Sequence, residues 1–150
     1  MASESPLPEV VILDFLKQRY PILMVDRVLS WEKGRDLRAV KNISVNDVHF
    51  QGHFPGYPIF PGVLTIESFA QAAAILIRIT EGGEIPGTFD VIGAVMDFRF
   101  LRPLFPGDRL EIHMTISKTA GPNRIIEGKG TVDGEAVATG KFVFGKFKMP

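Results

Sequence analysis

No cysteine occurs among the 150 residues of the chain. Thiolate nucleophiles, disulfide frameworks, cysteine-ligated zinc and iron–sulfur clusters are thereby excluded, and a cytoplasmic location is expected. Net charge is lacking too, since 17 Lys plus Arg balance 17 Asp plus Glu. The overall basic field of a dedicated nucleic-acid binder is absent, and no nucleic-acid partner is expected. Long apolar runs are also missing. The longest, Val63 to Ile79, is broken by Glu67, Gln71 and Arg78, which a bilayer core would penalise, so no membrane span is expected. Met1-Ala-Ser-Glu-Ser-Pro6 lacks the basic start of a secretory signal, and the apolar stretch Val10–Leu13 stops at Asp14. Repeats and low-complexity tracts are not found.

What is present is a globular composition, 45% hydrophobic and 23% charged, long enough for one core without disulfide or metal support. Residues 1–8 read as a flexible N-terminus and residues 9–150 as a single domain. Glu9 to Arg19 has helical spacing, with Pro8 before it and Tyr20-Pro21 stopping it. Met24–Trp31 and Leu37–Val45 are β-rich runs around a turn at Glu32-Lys33-Gly34. Pro61 opens a second helix that runs to Thr80, apolar on most faces and ended by Gly82-Gly83. Four strands follow, Phe89–Phe100, Arg109–Thr119, Arg124–Val132 and Ala136–Phe147, with Asp133-Gly134 as a hairpin turn. This order predicts an α+β fold in which one antiparallel sheet wraps around a long central helix.

Residues 46–60 follow no period and carry the chemistry. His53 stands on a stiff Pro/Gly loop, and Gly62 stands at a helix start, where a backbone N–H has no intrahelical acceptor. Such an N–H can hold a carbonyl oxygen as it gains negative charge. Glu67 is a carboxyl in an otherwise apolar stretch, rarely buried without a partner, and Gln71 at i+4 projects from the same face. The plainer readings are a structural histidine, an ordinary helix start and a solvated glutamate. A metal site from Asp47, His49 and His53 needs a helix that Gly52, Pro55 and Gly56 oppose. Whether Glu67 acts within its own chain or on a second copy stays open at this level.

The segment Gly52-His53-Phe54-Pro55-Gly56-Tyr57-Pro58-Ile59-Phe60-Pro61-Gly62-Val63-Leu64-Thr65-Ile66-Glu67 resembles the signature of the FabZ-type (3R)-3-hydroxyacyl-[acyl-carrier-protein] dehydratases of type II fatty-acid synthesis. Arg19–Val28, Lys41–Asn46, Phe98–Asp108 and Val132–Gly134 are similar to further parts of that family, over about residues 10–145. The resemblance implies the hot-dog fold and elimination of water from a 3-hydroxyacyl thioester without a cofactor or metal. It implies His53 as the base and Glu67 as the acid, with Gly62, Gln71, Phe54 and Val63 as substrate-binding or supporting positions. It implies an acyl carrier protein as partner, a homodimer with shared sites, and a trimer of dimers. Because that carrier is acidic, Arg99, Arg102, Arg109, Lys141, Lys146 and Lys148 are candidates for a basic rim. Tyr57 departs from the family pattern, where a basic or amide residue is common. The alternatives are a hot-dog acyl thioesterase, a specialised dehydratase of a polyene or polyketide pathway, and an acyl-binding module without activity.

Overall fold

The computed structural model describes residues 9–150; the expectation for residues 1–8 lies outside the described residues. The first helix is much shorter than its spacing predicts. Only Ile12–Phe15 (α1) is helical, and Leu16 is already extended at φ −115° and ψ 137°. One turn is all that forms, since a short helix must offset its nucleation by packing. Leu16 instead reaches the core from extended chain, at 3% exposure. Arg19 holds the end of the turn by donating to the carbonyls of Leu13, Leu16 and Gln18.

Strands β1 (Arg27–Glu32) and β2 (Asp36–Asn42) form the expected hairpin around Gly34, whose φ of 77° suits glycine. β1 starts three residues later than the sequence pattern suggests. Met24 and Val25 are buried, but their N–H groups face a glutamine side chain of the central helix instead of a neighbouring strand. That helix, α2, spans Gly62–Glu81, and eleven of its twenty residues are buried. By length and composition it could cross a bilayer; here it is the spine of a core, enclosed by the sheet. β3 (Thr88–Phe100), β4 (Arg109–Ala120), β5 (Asn123–Val132) and β6 (Glu135–Lys148) follow.

The six strands form one antiparallel sheet in the order β1-β2-β4-β5-β6-β3. Leu37, Ala39, Leu110, Ile112, Met114 and Phe142 turn inward, each at 1% exposure or less. Three mid-strand glycines set how closely the helix and sheet approach. A Cβ at Gly128 or Gly130 would lie 2.7 or 2.9 Å from the Phe69 ring, and one at Gly140 would lie 2.2 Å from Phe98. Asp97 at φ 49° belongs to a register shift between Met96 and Arg99, which leaves Asp97 and Phe98 opposite Gly140. Such a bulge re-aims the side chain that follows it. Phe98 thus packs edge-on against Phe69 at 5.2 Å and Phe142 at 6.0 Å.

β3 is a sheet edge of 13 residues. Val91, Ile92, Val95 and Met96 along it are each more than a third exposed. A long apolar edge with unpaired backbone groups is one that proteins normally cover.

Candidate active site

The loop from His53 to Phe60 is folded onto itself. Phe54 and Tyr57 exchange backbone hydrogen bonds at 3.1 and 2.9 Å. Pro55 and Gly56 occupy the two corners between them, and Gly56 has φ 78°, the pattern of a type II turn. Ile59 donates its N–H to the His53 carbonyl at 3.2 Å, and Phe60 donates to Leu104 at 2.8 Å. The His53–Phe54 peptide is cis, and the two rings stack with centroids 4.0 Å apart.

His53 is oriented by the same loop. Its Nδ1 lies 2.8 Å from the Ile59 carbonyl oxygen. A carbonyl only accepts, so Nδ1 carries the proton and the neutral ring keeps an open lone pair on Nε2. That is the form of a general base. The Ile59 carbonyl was not legible as a site group, because no local pattern links two loop residues six apart.

Pro61 stands at the N-cap of α2, and its carbonyl accepts the N–H groups of Leu64 at 2.9 Å and Thr65 at 3.2 Å. The Gly62 and Val63 N–H groups have no acceptor among the described residues. They sit at the positive end of a 20-residue helix. Gly62 is also short of space: a Cβ there would lie 3.0 Å from the tip of the Phe100 ring. Beside it is a cavity of about 370 Å³ whose wall includes Phe60, Gly62, Thr65, Phe100, Leu104 and Val137.

Glu67 is half-buried, and its Oε1 accepts a hydrogen bond from Gln71 Nε2 at 2.8 Å. Gln71 is 1% exposed and has four hydrogen bonds. It also donates to Ile22 O at 2.8 Å and accepts from Met24 N at 2.7 Å and Val25 N at 3.4 Å. These partners fix which end of the amide is which. They tie the carboxyl to the segment preceding β1, leaving Oε2 without a partner among the described residues.

The predicted residues therefore fall into two groups. His53, Phe54 and Gly62 gather at the loop and helix start. Glu67 and Gln71 belong to another face of α2: with 100° per residue, Glu67 is about 160° around the helix from Thr65, which lines the cavity. His53 and Glu67 make no contact with each other by hydrogen bond or ion pair in the chain. Val63 is 73% exposed and Phe54 48% exposed, so both lie on the open surface of the protomer. Asp47, His49 and His53 do not form a ligand group: the Asp47 carboxylate accepts from Lys41 at 3.3 Å and from Ser44 N at 3.1 Å.

Residues 16–141 match the family model described as a FabA-like domain. The chain is 49% identical over 126 residues to the 3-hydroxyacyl-[acyl-carrier-protein] dehydratase FabZ of Cronobacter sakazakii, covering 84% of this chain and 83% of that protein. It is 48% identical, with the same coverage, to the FabZ dehydratase of Escherichia coli O139:H28. Among solved structures, the dehydratase heterocomplex ApeI:P from Xenorhabdus doucetiae superposes with a TM-score of 0.75 at 16% identity, covering 93% of this chain and 91% of that one. A hot-dog-like protein from Thermanaerovibrio acidaminovorans superposes with a TM-score of 0.62 at 21% identity, covering 79% and 84%. The sheet-around-helix architecture is thus the hot-dog fold.

Proposed function

The chain belongs to the FabA-like family, and from that premise we propose how its own residues carry out the family's chemistry. The activity is that of a hydro-lyase of fatty-acid biosynthesis, converting a 3-hydroxyacyl thioester on acyl carrier protein to the trans-2-enoyl thioester. In our reading Nε2 of neutral His53 removes the α-proton. The electron pair moves toward the thioester carbonyl, whose oxygen is held by the Gly62 N–H at the end of the α2 dipole. The C–O bond at the β-carbon then breaks, and the hydroxyl leaves as water with a proton from Glu67. Solvent then takes the proton from His53 and returns one to the Glu67 carboxylate, and the products are the enoyl thioester and water, with no net change in oxidation state. Gln71 positions the acid by holding one carboxyl oxygen, leaving the other to deliver the proton.

Glu67 acts on a second copy of the chain. The observation that carries this is the division of α2 into two faces: Gly62 and the cavity lie on one, and Glu67 points to another with exposed Val63 beside it. β3 also presents an uncovered apolar edge, and a second β3 pairing with it antiparallel would close the sheet edge with two-fold symmetry. A dimer with shared sites, able to assemble as a trimer of dimers in the cytoplasm, is the form we assign. Of the candidate basic residues, Lys146 is enclosed in an ion cluster and is withdrawn. Arg102, Arg109 and Lys141 are each paired with a carboxylate. Arg99 and Lys148, both exposed and without a carboxylate partner among the described residues, remain for an acidic carrier protein.

The test is hydration of crotonoyl carrier protein, followed by enoyl absorbance and product mass. A product heavier by one water establishes the reaction, whereas free crotonate identifies a thioesterase. His53→Ala and Glu67→Gln chains are then unfolded together and refolded at equal amounts. Each is inactive alone. A shared site restores about a quarter of wild-type activity, because half the dimers are mixed and each has one intact site. No recovery means that both groups act within one chain.

A further inference from the structure

Thr65 lies three residues after Gly62, so the two share a face of α2. It is 2% exposed and lines the cavity beside Gly62. A buried hydroxyl normally has a partner. In a helix the usual one is the carbonyl four residues back, and Ser68 follows that rule by donating to Leu64 O at 2.7 Å. For Thr65 that carbonyl belongs to Pro61, which already accepts the Leu64 and Thr65 N–H groups. The Thr65 hydroxyl has no hydrogen bond to any described residue. The other polar side chain on the cavity wall, Arg102, donates to Pro103 O at 2.7 Å and Asp108 at 3.1 Å. Thr65 therefore brings an unmet hydroxyl to a mostly apolar wall whose other polar side chain, Arg102, is already engaged. Helical side chains lean toward the N-terminus, and here that direction leads to Gly62.

We propose that the Thr65 hydroxyl contacts the substrate, donating a second hydrogen bond to the thioester carbonyl oxygen that the Gly62 N–H receives. The proposal rests on the role of Gly62 given above. A carbonyl oxygen has two lone pairs, and one N–H serves only one of them. Val63 has a free N–H but lies outside the cavity wall, so the second donor must come from elsewhere. Charge builds on this oxygen as the α-proton leaves. The Phe100 ring covers Gly62, so a fixed donor there acts with little competition from water and strengthens toward the transition state.

The experiment compares wild type, Thr65→Val and Thr65→Ser with carrier-linked and small crotonoyl thioesters. Valine keeps the shape without the hydroxyl, and serine keeps the hydroxyl. Thr65→Val lowers kcat by about tenfold to a hundredfold with KM little changed, as loss of a transition-state donor does, and Thr65→Ser stays near wild type. A second readout is the infrared carbonyl band of a bound thioester labelled with carbon-13 at C1. The band rises in frequency in Thr65→Val and stays in place in Thr65→Ser. Should valine disturb folding, Thr65→Ala removes the same hydroxyl and is compared with serine in its place. Wild-type kcat with an unmoved band in Thr65→Val overturns the proposal, as does equal loss in the valine and serine variants. An inactive wild type overturns the dehydratase reading and this one together; an active wild type with an indifferent position 65 overturns this one alone.

Discussion

The two ends of α2 follow opposite plans. At the C-terminal end the charged groups are paired, although the buried Nε of Arg124 has no hydrogen-bond partner among the described residues. Gly82 adopts φ 79° and donates to the Arg78 and Ile79 carbonyls, and Gly83 donates to Arg78 at 2.9 Å, a left-handed cap. Glu81 is an acid at the negative end of the dipole, an unfavourable place, and two cations compensate it: Arg124 and Lys146, each at 2.6 Å. Lys146 also pairs with Asp90 at the start of β3. At the N-terminal end the Gly62 and Val63 N–H groups lack acceptors, His53 keeps an open Nε2, and Thr65 has an unmet hydroxyl. One helix thus carries a closed end that fixes three strands around it and an open end whose vacant polar groups suit a ligand. Polar groups left open side by side are costly unless a ligand meets them, which is the role proposed for this end.

That comparison breaks most sharply at His53. His53→Ala removes the proposed base and is expected to lower turnover by about 10²–10⁴-fold, while the urea midpoint stays near wild type because the ring is half-buried on a surface loop. A large loss of stability would mean that the open end is also structural. The converse substitution is Glu81→Gln. It leaves Arg124 without a counter-charge and Lys146 with Asp90 alone, each cation less than a sixth exposed, and costs about 3 kcal/mol in urea unfolding, with turnover of the folded molecules unchanged. Loss of turnover without loss of stability would erase the distinction between the two ends.

Gly140→Ala sharpens the comparison midway along the sheet. Its Cβ would meet Phe98 at 2.2 Å, so overpacking costs about 1–3 kcal/mol. Pairing it with Phe98→Leu recovers part of that loss, which thermal unfolding of the double variant measures. The smallest effect belongs to Glu84, just past the closed end. Its hydrogen bond and ion pair with Lys17, at 2.7 Å, hold its carboxyl below the usual pKa, with Arg78 as a weaker cause. A lowered folded-state pKa contributes stability above the ordinary carboxylate range and loses it as pH falls through the folded value. Both groups are solvent-exposed, so the acid limb of a stability–pH curve for Glu84→Gln differs only slightly from wild type and merges with it at high salt.

Most of the fold was legible in the sequence because local geometry leaves a local mark. Pro61 and Gly82 bracket α2 within a residue of its observed ends, and β3 to β6 match their apolar runs. Asp133-Gly134 has the two positive φ values, 50° and 79°, of its hairpin turn. The failures have a common cause. Helical spacing over residues 9–19 was real, but Leu16 gains more from reaching the core as extended chain. Lys146 looked like a surface cation on a strand until Glu81 and Asp90 enclosed it. The Gly128, Gly130 and Gly140 positions gave only the general signal that something approaches a strand closely, and Phe69 and Phe98 supplied its identity.

By itself the sequence determined the elements, the stiff loop bearing His53, the helix start at Gly62 and the Glu67–Gln71 spacing, because each depends on neighbours within a few residues. Tertiary structure alone decided that Ile59 orients His53, that Gln71 is anchored by Ile22 and Met24, and that β3 lies at an open edge. It also decided that Thr65 faces a cavity while Glu67 faces away from it. Those outcomes depend on which distant surfaces cover each face of a helix or strand, and the period of a chain records its faces without recording what packs against them.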